Sequence, residues 1–216
     1  MLILDVGAKY GIHPAFKKLE NIYNFHLVDA DKSEVSYLKK NYRKQKNIKC
    51  FNYFFDNLGV EKFKNINLYD HIGKHSFYEL LDGKIKGKAI VPTSSIDKIK
   101  EKITFLKIDV EGKEIDCLKG GISQLKKNIL GVRCEVLLNP LYKGQSETWS
   151  KVNNILRGVG FEFMNFDIIK NVTLKSFLNF HIDNSSGQFY AADGIWVKNV
   201  KFILKSKDYK EIINYA

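Results

Sequence analysis

The chain has 216 residues, 44% of them hydrophobic and 13% aromatic, enough for one well-buried domain and short for two. No run approaches the roughly 18 apolar residues of a membrane span, and Asp5 interrupts the only early apolar run, which argues against a secretory signal. The formal charge of +11 rests almost wholly on lysine, with arginine only at 43, 133 and 157, which argues against a phosphate- and guanine-reading surface.

In chain order, Leu2–Val6 reads as a buried strand ended by glycine. "IHPAFKKLENIY" follows as a helix with Pro14 at its start, and "NFHLVDAD" as a second strand ending in acids. Ser33 is expected to cap a helix running to about Asn41, and "NIKCFNYF" is a third strand. This β-α-β-α-β rhythm predicts a parallel sheet with right-handed crossovers. From about 57 to 91 the rhythm gives way to a hairpin or loop excursion. "PTSSIDKIK" reads as a short helix, "KITFLKIDVEG" as the strongest strand, and "KEIDCLKGGISQLKKN" as an amphipathic helix with an internal Gly-Gly. "ILGVRCEVLL" is a further strand and "SETWSKVNNILRGVG" a helix closed by glycine. "FEFMNFDII" and "DGIWVKNVKFIL" alternate as late strands, expected to pair antiparallel at one sheet edge.

The cysteines at 50, 117 and 134 fit neither a zinc site nor a disulfide framework and read as buried, reduced thiols. His71 and His75 are four apart, but Gly73 argues against the helix a metal pair would need. His13, His26 and His181 are scattered; His181 lies in a late polar and aromatic segment that could line an acceptor pocket or form a plain loop. A cytoplasmic protein is the default expectation.

Ligands of open α/β sheets bind outside the carboxyl ends of the strands. There the first strand gives Asp5, Gly7, Ala8, Lys9 and Gly11 in the spacing D-x-G-x-x-x-G, which is not the dinucleotide fingerprint G-x-G-x-x-G. Glycines there let a ligand approach the backbone, and no arginines await a pyrophosphate. Asp29 ends the second strand 24 positions after Asp5, where a carboxylate can accept hydrogen bonds from both ribose hydroxyls. A nucleoside with an amino-acid tail, such as S-adenosylmethionine, fits both features; the alternative is a helix-capping aspartate beside a tight glycine turn.

"LILDVGAKYG" together with "FLKIDVEGKEIDCLKGG" resembles the FkbM family of S-adenosylmethionine-dependent methyltransferases, in register from residue 2 to about 166. The long motif is intact as Lys107, Ile108, Asp109, Val110, Glu111 and Gly112, followed by Glu114, Leu118 and Gly120. Ser95, Ile96 and Asp97, then Glu135 in "RCEV", resemble further family elements, as does "ILRGVGFEF". The chain departs from the pattern with Lys9 for asparagine and Asp29-Ala30, followed by Asp31, for glutamate-proline; it also starts directly at the first strand.

The resemblance implies a Rossmann-like class I methyltransferase fold over residues 1–216. Its mostly parallel seven-stranded sheet would carry helices on both faces and an antiparallel strand at the edge. It implies S-adenosylmethionine as methyl donor, held by Asp5, Gly7, Ala8, Lys9, Gly11, Asp29, Ala30, Asp31 and Asp109, with Asp56 after the third strand near the adenine amino group. The acceptor would be a hydroxyl of a sugar, polysaccharide or other small molecule. Asp109 is then the positioning group near the reacting methyl, and Glu111 or Glu135 the candidate base. Lys9 would pair with the cofactor carboxylate or crowd the loop. Glu111 has the alternative of bonding the amides of its own turn. "LLNPLY" resembles the N-P-P-Y motif of nucleic-acid amino methyltransferases, but lacks the second proline and follows the fifth strand; a turn at Pro140 explains it. The alternatives are a nucleic-acid base N-methyltransferase and a cofactor- or sugar-binding module that has lost catalysis.

Overall fold

The computed structural model describes residues 1–57, 63–69, 85–140, 143, 146–172 and 188–201. Its centre is a seven-stranded sheet in the order β3-β2-β1-β7-β8-β10-β9. The parallel centre joins β1 (Leu2–Val6), β2 (Asn24–Asp29), β3 (Ile48–Asn52), β7 (Ile103–Ile108) and β8 (Gly131–Leu137). β10 (Gln188–Lys198) runs antiparallel between β8 and the outermost strand β9 (Phe161–Val172). The antiparallel strand is therefore one in from the edge, and it begins earlier than the expected Asp193.

Alternation along the central strands divides the interior. Leu4, Val6, Leu106, Ile108, Val132 and Cys134 face a large core shared with α2 (Glu114–Lys119), α3 (Ile122–Lys127) and α4 (Trp149–Gly158). Ile3, Phe25, Leu27 and Ile48 pack on the other side against Leu38 of α1 (Lys32–Asn41) and residues around a 3-10 turn, Pro14–Leu19. Helices thus cover both faces. The first helix, expected to run on through Tyr23, is a short 3-10 turn that ends at Leu19.

Two other expectations change in detail. α1 is capped by Asp31 rather than Ser33: its Oδ1 accepts from the Ser33 and Glu34 amides at 2.7 and 3.4 Å. The helix expected over 113–128 is two, parted at Gly120 and Gly121, where the Gly120 carbonyl accepts from the Asp97 amide at 2.9 Å and a Cβ at Gly120 would lie 2.1 Å from the Asp56 carbonyl oxygen. Only glycine at 120 lets the Asp56 loop approach this closely.

Part of the excursion at 57–91 is a second, small sheet. β6 (Ile85–Ser94) pairs antiparallel with β5 (Phe63–Tyr69) and parallel with β4 (Phe54–Phe55). Cys117 and Cys134 are buried and Cys50 half-buried, all as free thiols. No helix among the described residues is long and apolar enough to cross a membrane. Among the same residues, no group of three or more potential ligands could hold a metal ion. His71, His75, His181, Leu141 and Tyr142 lie outside the described residues.

Candidate active site

A cleft of about 390 Å3 opens at the carboxyl ends of β1, β2 and β7. It is lined by Gly7, Lys9, Asp29, Ala30, Asp31, Asp109 and Glu111 among the residues expected from the sequence. Ala8, Gly11, Asp5, Asp56 and Glu135 are not among its lining residues.

The turn after β1 explains this division. Gly7 has φ +77° and its amide donates to the Val28 carbonyl at 2.8 Å. A Cβ there would lie 1.8 Å from the Asp109 carbonyl oxygen, so only glycine lets the turn lie against the end of β7. Ala8 is turned into the core beneath α1. Gly11 packs under the Tyr42 hydroxyl, which accepts from the Ile12 amide at 3.1 Å. Both shape the turn from behind. Lys9 sits at the mouth with its ammonium 5.1 Å from the Tyr10 ring centre.

At the β2 end, Asp29 is largely buried, and its carboxylate accepts from the Asp31 amide at 2.8 Å. Burial pushes its carboxyl up to about 6; the Asp31 amide opposes this, the nearby Asp31 and Glu34 charges add to it, and Lys107 opposes it. Asn52 clasps this end by donating to the carbonyls of Asp29 and Ala30 at 3.0 and 2.9 Å. Tyr53, Phe54 and Ile66 continue the wall with flat and apolar surface. Asp56, expected near this end, is buried and paired with Lys64 at 2.8 Å.

The β7 end is ionic. Lys107 pairs in register with Asp5 on β1 and Arg133 on β8. Its ammonium lies 2.8 Å from the Gly7 carbonyl oxygen, 3.2 Å from Asp5 and 3.8 Å from Asp109. Burial works against this charge, but Asp5 and Asp109 outweigh it and hold the lysine above its usual range. Asp5 also accepts from the His13 amide at 3.2 Å, so it anchors the turn from beneath. His13 lines the cleft and caps the 3-10 turn, its Nδ1 accepting from the Ala15 amide at 3.2 Å.

Glu111 reaches the cleft from a turn in which it adopts φ +52°, a conformation costly for a residue with a side chain. Buried Glu114 holds that turn, accepting from the Val110 and Gly112 amides at 3.1 Å each. Burial pushes Glu114 up to about 7 despite these bonds. The acceptor of these two turn amides is therefore Glu114. Glu135 is buried on β8 and bonded to Lys170 of β9. Burial first, then the Asp109 charge, raise its carboxyl well above the usual range, with Lys170 opposing.

The sequence missed Lys107, His13, Asn52 and Tyr53 as site residues. Lys107 was visible in the motif, and its place in register beside Asp5 was the available signal. His13 and Asn52 carried none, because their roles depend on contacts across the fold.

The cleft fits the cofactor that the motifs imply. Asp29 presents an ionisable acceptor with one protein donor, as a ribose diol needs, and Gly7 lets the β1 turn that lines the cleft lie against the end of β7. The chain matches the methyltransferase FkbM domain over residues 5–163. Its structure is similar to that of FkbM methyltransferase from Methylobacillus flagellatus KT, with a TM-score of 0.50 and 13% identity. That match covers 89% of this chain and 43% of the other, so the chain spans less than half the length of that protein. A proposed RNA methyltransferase from Pyrococcus horikoshii is similar at TM-score 0.49 and 12% identity, covering 92% and 75% of the two chains. A S-adenosylmethionine-dependent methyltransferase from Methanosarcina mazei gives 0.43 and 10%, covering 91% and 92%. No curated protein matches the sequence. With the FkbM domain spanning 5–163 and a mostly parallel seven-stranded sheet behind it, the chain belongs to the FkbM methyltransferase family.

Proposed function

We propose that residues 1–216 act as one methyltransferase domain in the cytoplasm. The domain binds S-adenosylmethionine in this cleft and methylates a hydroxyl of a sugar, polysaccharide or other small molecule. The observation that carries the reading is Asp29, a buried carboxylate at the end of β2 that lines the cleft beside the Gly7 turn. Its oxygens accept from the ribose hydroxyls. Tyr53, Phe54 and Ile66 pack against the base, a role Asp56 cannot fill while paired to Lys64 behind the wall. The backbone at Gly7 admits the amino-acid tail, and Lys9 at the mouth attracts its carboxylate.

When bound, the cofactor supplies a methyl group made electrophilic by its sulfonium. Asp109, 35% exposed and steadied by Lys107, holds the reacting partners in line. Glu111, which lines the cleft beside Asp109, would take the proton of the acceptor hydroxyl. Glu135 stands behind Asp109 as a charge neighbour, since its bond to Lys170 and its burial keep it from the acceptor. Calorimetry tests the reading: S-adenosylmethionine should bind and NADH should not, and absence of S-adenosylmethionine binding would overturn it.

A further inference from the structure

We propose that His13 is a specificity residue of the cleft, its Nε2–H binding the carboxylate of the cofactor's amino-acid tail. The inference rests on the cofactor reading above. It starts from the two nitrogens of the ring. An amide N–H only donates, so the Ala15 amide at 3.2 Å claims the lone pair of Nδ1. The neutral ring therefore carries its proton on Nε2, which makes no hydrogen bond to the protein among the described residues. The ring is neutral near pH 7: burial lowers its pKa below the usual value, Arg133 and Lys107 lower it further, and Asp5 and Asp193 oppose. His13 lines the cleft, and this donor is assigned to a ligand bound there.

The other groups at this end point to what that ligand is. Lys107 already serves Gly7 and Asp5 and stands near Asp109. The Lys9 ammonium lies over the Tyr10 ring at the mouth, so it draws the carboxylate by charge through solvent and leaves the direct hydrogen bond to another donor. Asp109 and Glu111 are carboxylates and offer the tail carboxylate no donor. His13 is the donor left for the carboxylate, and a proton on Nε2 makes it a donor rather than a base.

The variant His13→Asn separates this role from capping, because asparagine is itself a good N-cap but too short to reach the ligand. Calorimetry would compare S-adenosylhomocysteine with 5′-methylthioadenosine, which lacks the amino-acid tail. For the variant we expect about ten- to hundredfold weaker binding of S-adenosylhomocysteine, as for a lost hydrogen bond to a charged group, with methylthioadenosine unchanged. Equal weakening of both ligands would assign His13 a purely structural role and overturn the inference. Unchanged S-adenosylhomocysteine affinity would also overturn it, while leaving the cofactor reading intact. If the wild-type protein bound neither ligand, the cofactor reading would fail, and the inference with it.

Discussion

At the β2 end of the cleft, one acid, an asparagine clasp and a short aromatic wall set the geometry; at the β7 end, a buried lysine binds a carbonyl and two carboxylates together. The first end relies on a single side chain whose burial is only partly offset by the Asp31 amide, so its pKa stays raised to about 6. The second is satisfied largely by the protein itself. Removing groups should therefore cost binding at the first end, and folding or turn geometry at the second.

The largest effect is expected at Asp29. Asp29→Ala should weaken S-adenosylmethionine binding by about 100-fold or more, as for loss of a charged acceptor serving two hydroxyls. Its denaturation midpoint should hold or rise, because an underpaired buried carboxylate is removed. Unchanged affinity would refute the ribose role.

Glu114 shows the opposite behaviour. Glu114→Ala leaves two turn amides without their acceptor and should cost about 2–4 kcal/mol in urea denaturation. Glu114→Gln keeps an acceptor and removes the charge. In the native protein this carboxyl is raised from 4.5 to about 7, so the folded state holds its proton more tightly than the unfolded chain. Wild-type stability should therefore fall as pH rises between those values, by up to roughly 3 kcal/mol from this group. That slope should be reduced in Glu114→Gln; an identical slope would show that Glu114 does not titrate in this window.

Much of this contrast could be read in the sequence, and the missing part has a physical cause. Strand periodicity and the acid-after-strand spacing located Asp29, and the intact motif located Asp109 and Glu111 in the cleft. Side-chain direction was not legible. Ala8 and Gly11 belong to the same turn as Gly7, yet they face inward. Asp56 follows β3 as expected, but Lys64 from the added sheet draws it into a pair. Glu135 lies on the neighbouring strand with its charge committed to Lys170. The need for glycine at 120 comes from the close approach of the Asp56 carbonyl, a contact 64 positions away that no local pattern shows.

The smallest effect is expected at the mouth. Lys9→Asn restores the family residue and should weaken S-adenosylmethionine binding only about two- to fivefold, as for an exposed charge acting through solvent. The loss should shrink in high salt. Tighter binding would mean that the lysine stem crowds the loop.

The most direct test of the central claim is a calorimetric titration of S-adenosylhomocysteine at pH 8 and at pH 5. Asp29 titrates at about 6 in the free protein, so it is ionised at pH 8 and protonated at pH 5. Binding at pH 8 should be one-to-one, and affinity at pH 5 should be lower by up to about tenfold, the cost of displacing the proton. No binding at either pH would contradict the assignment of this cleft to the cofactor.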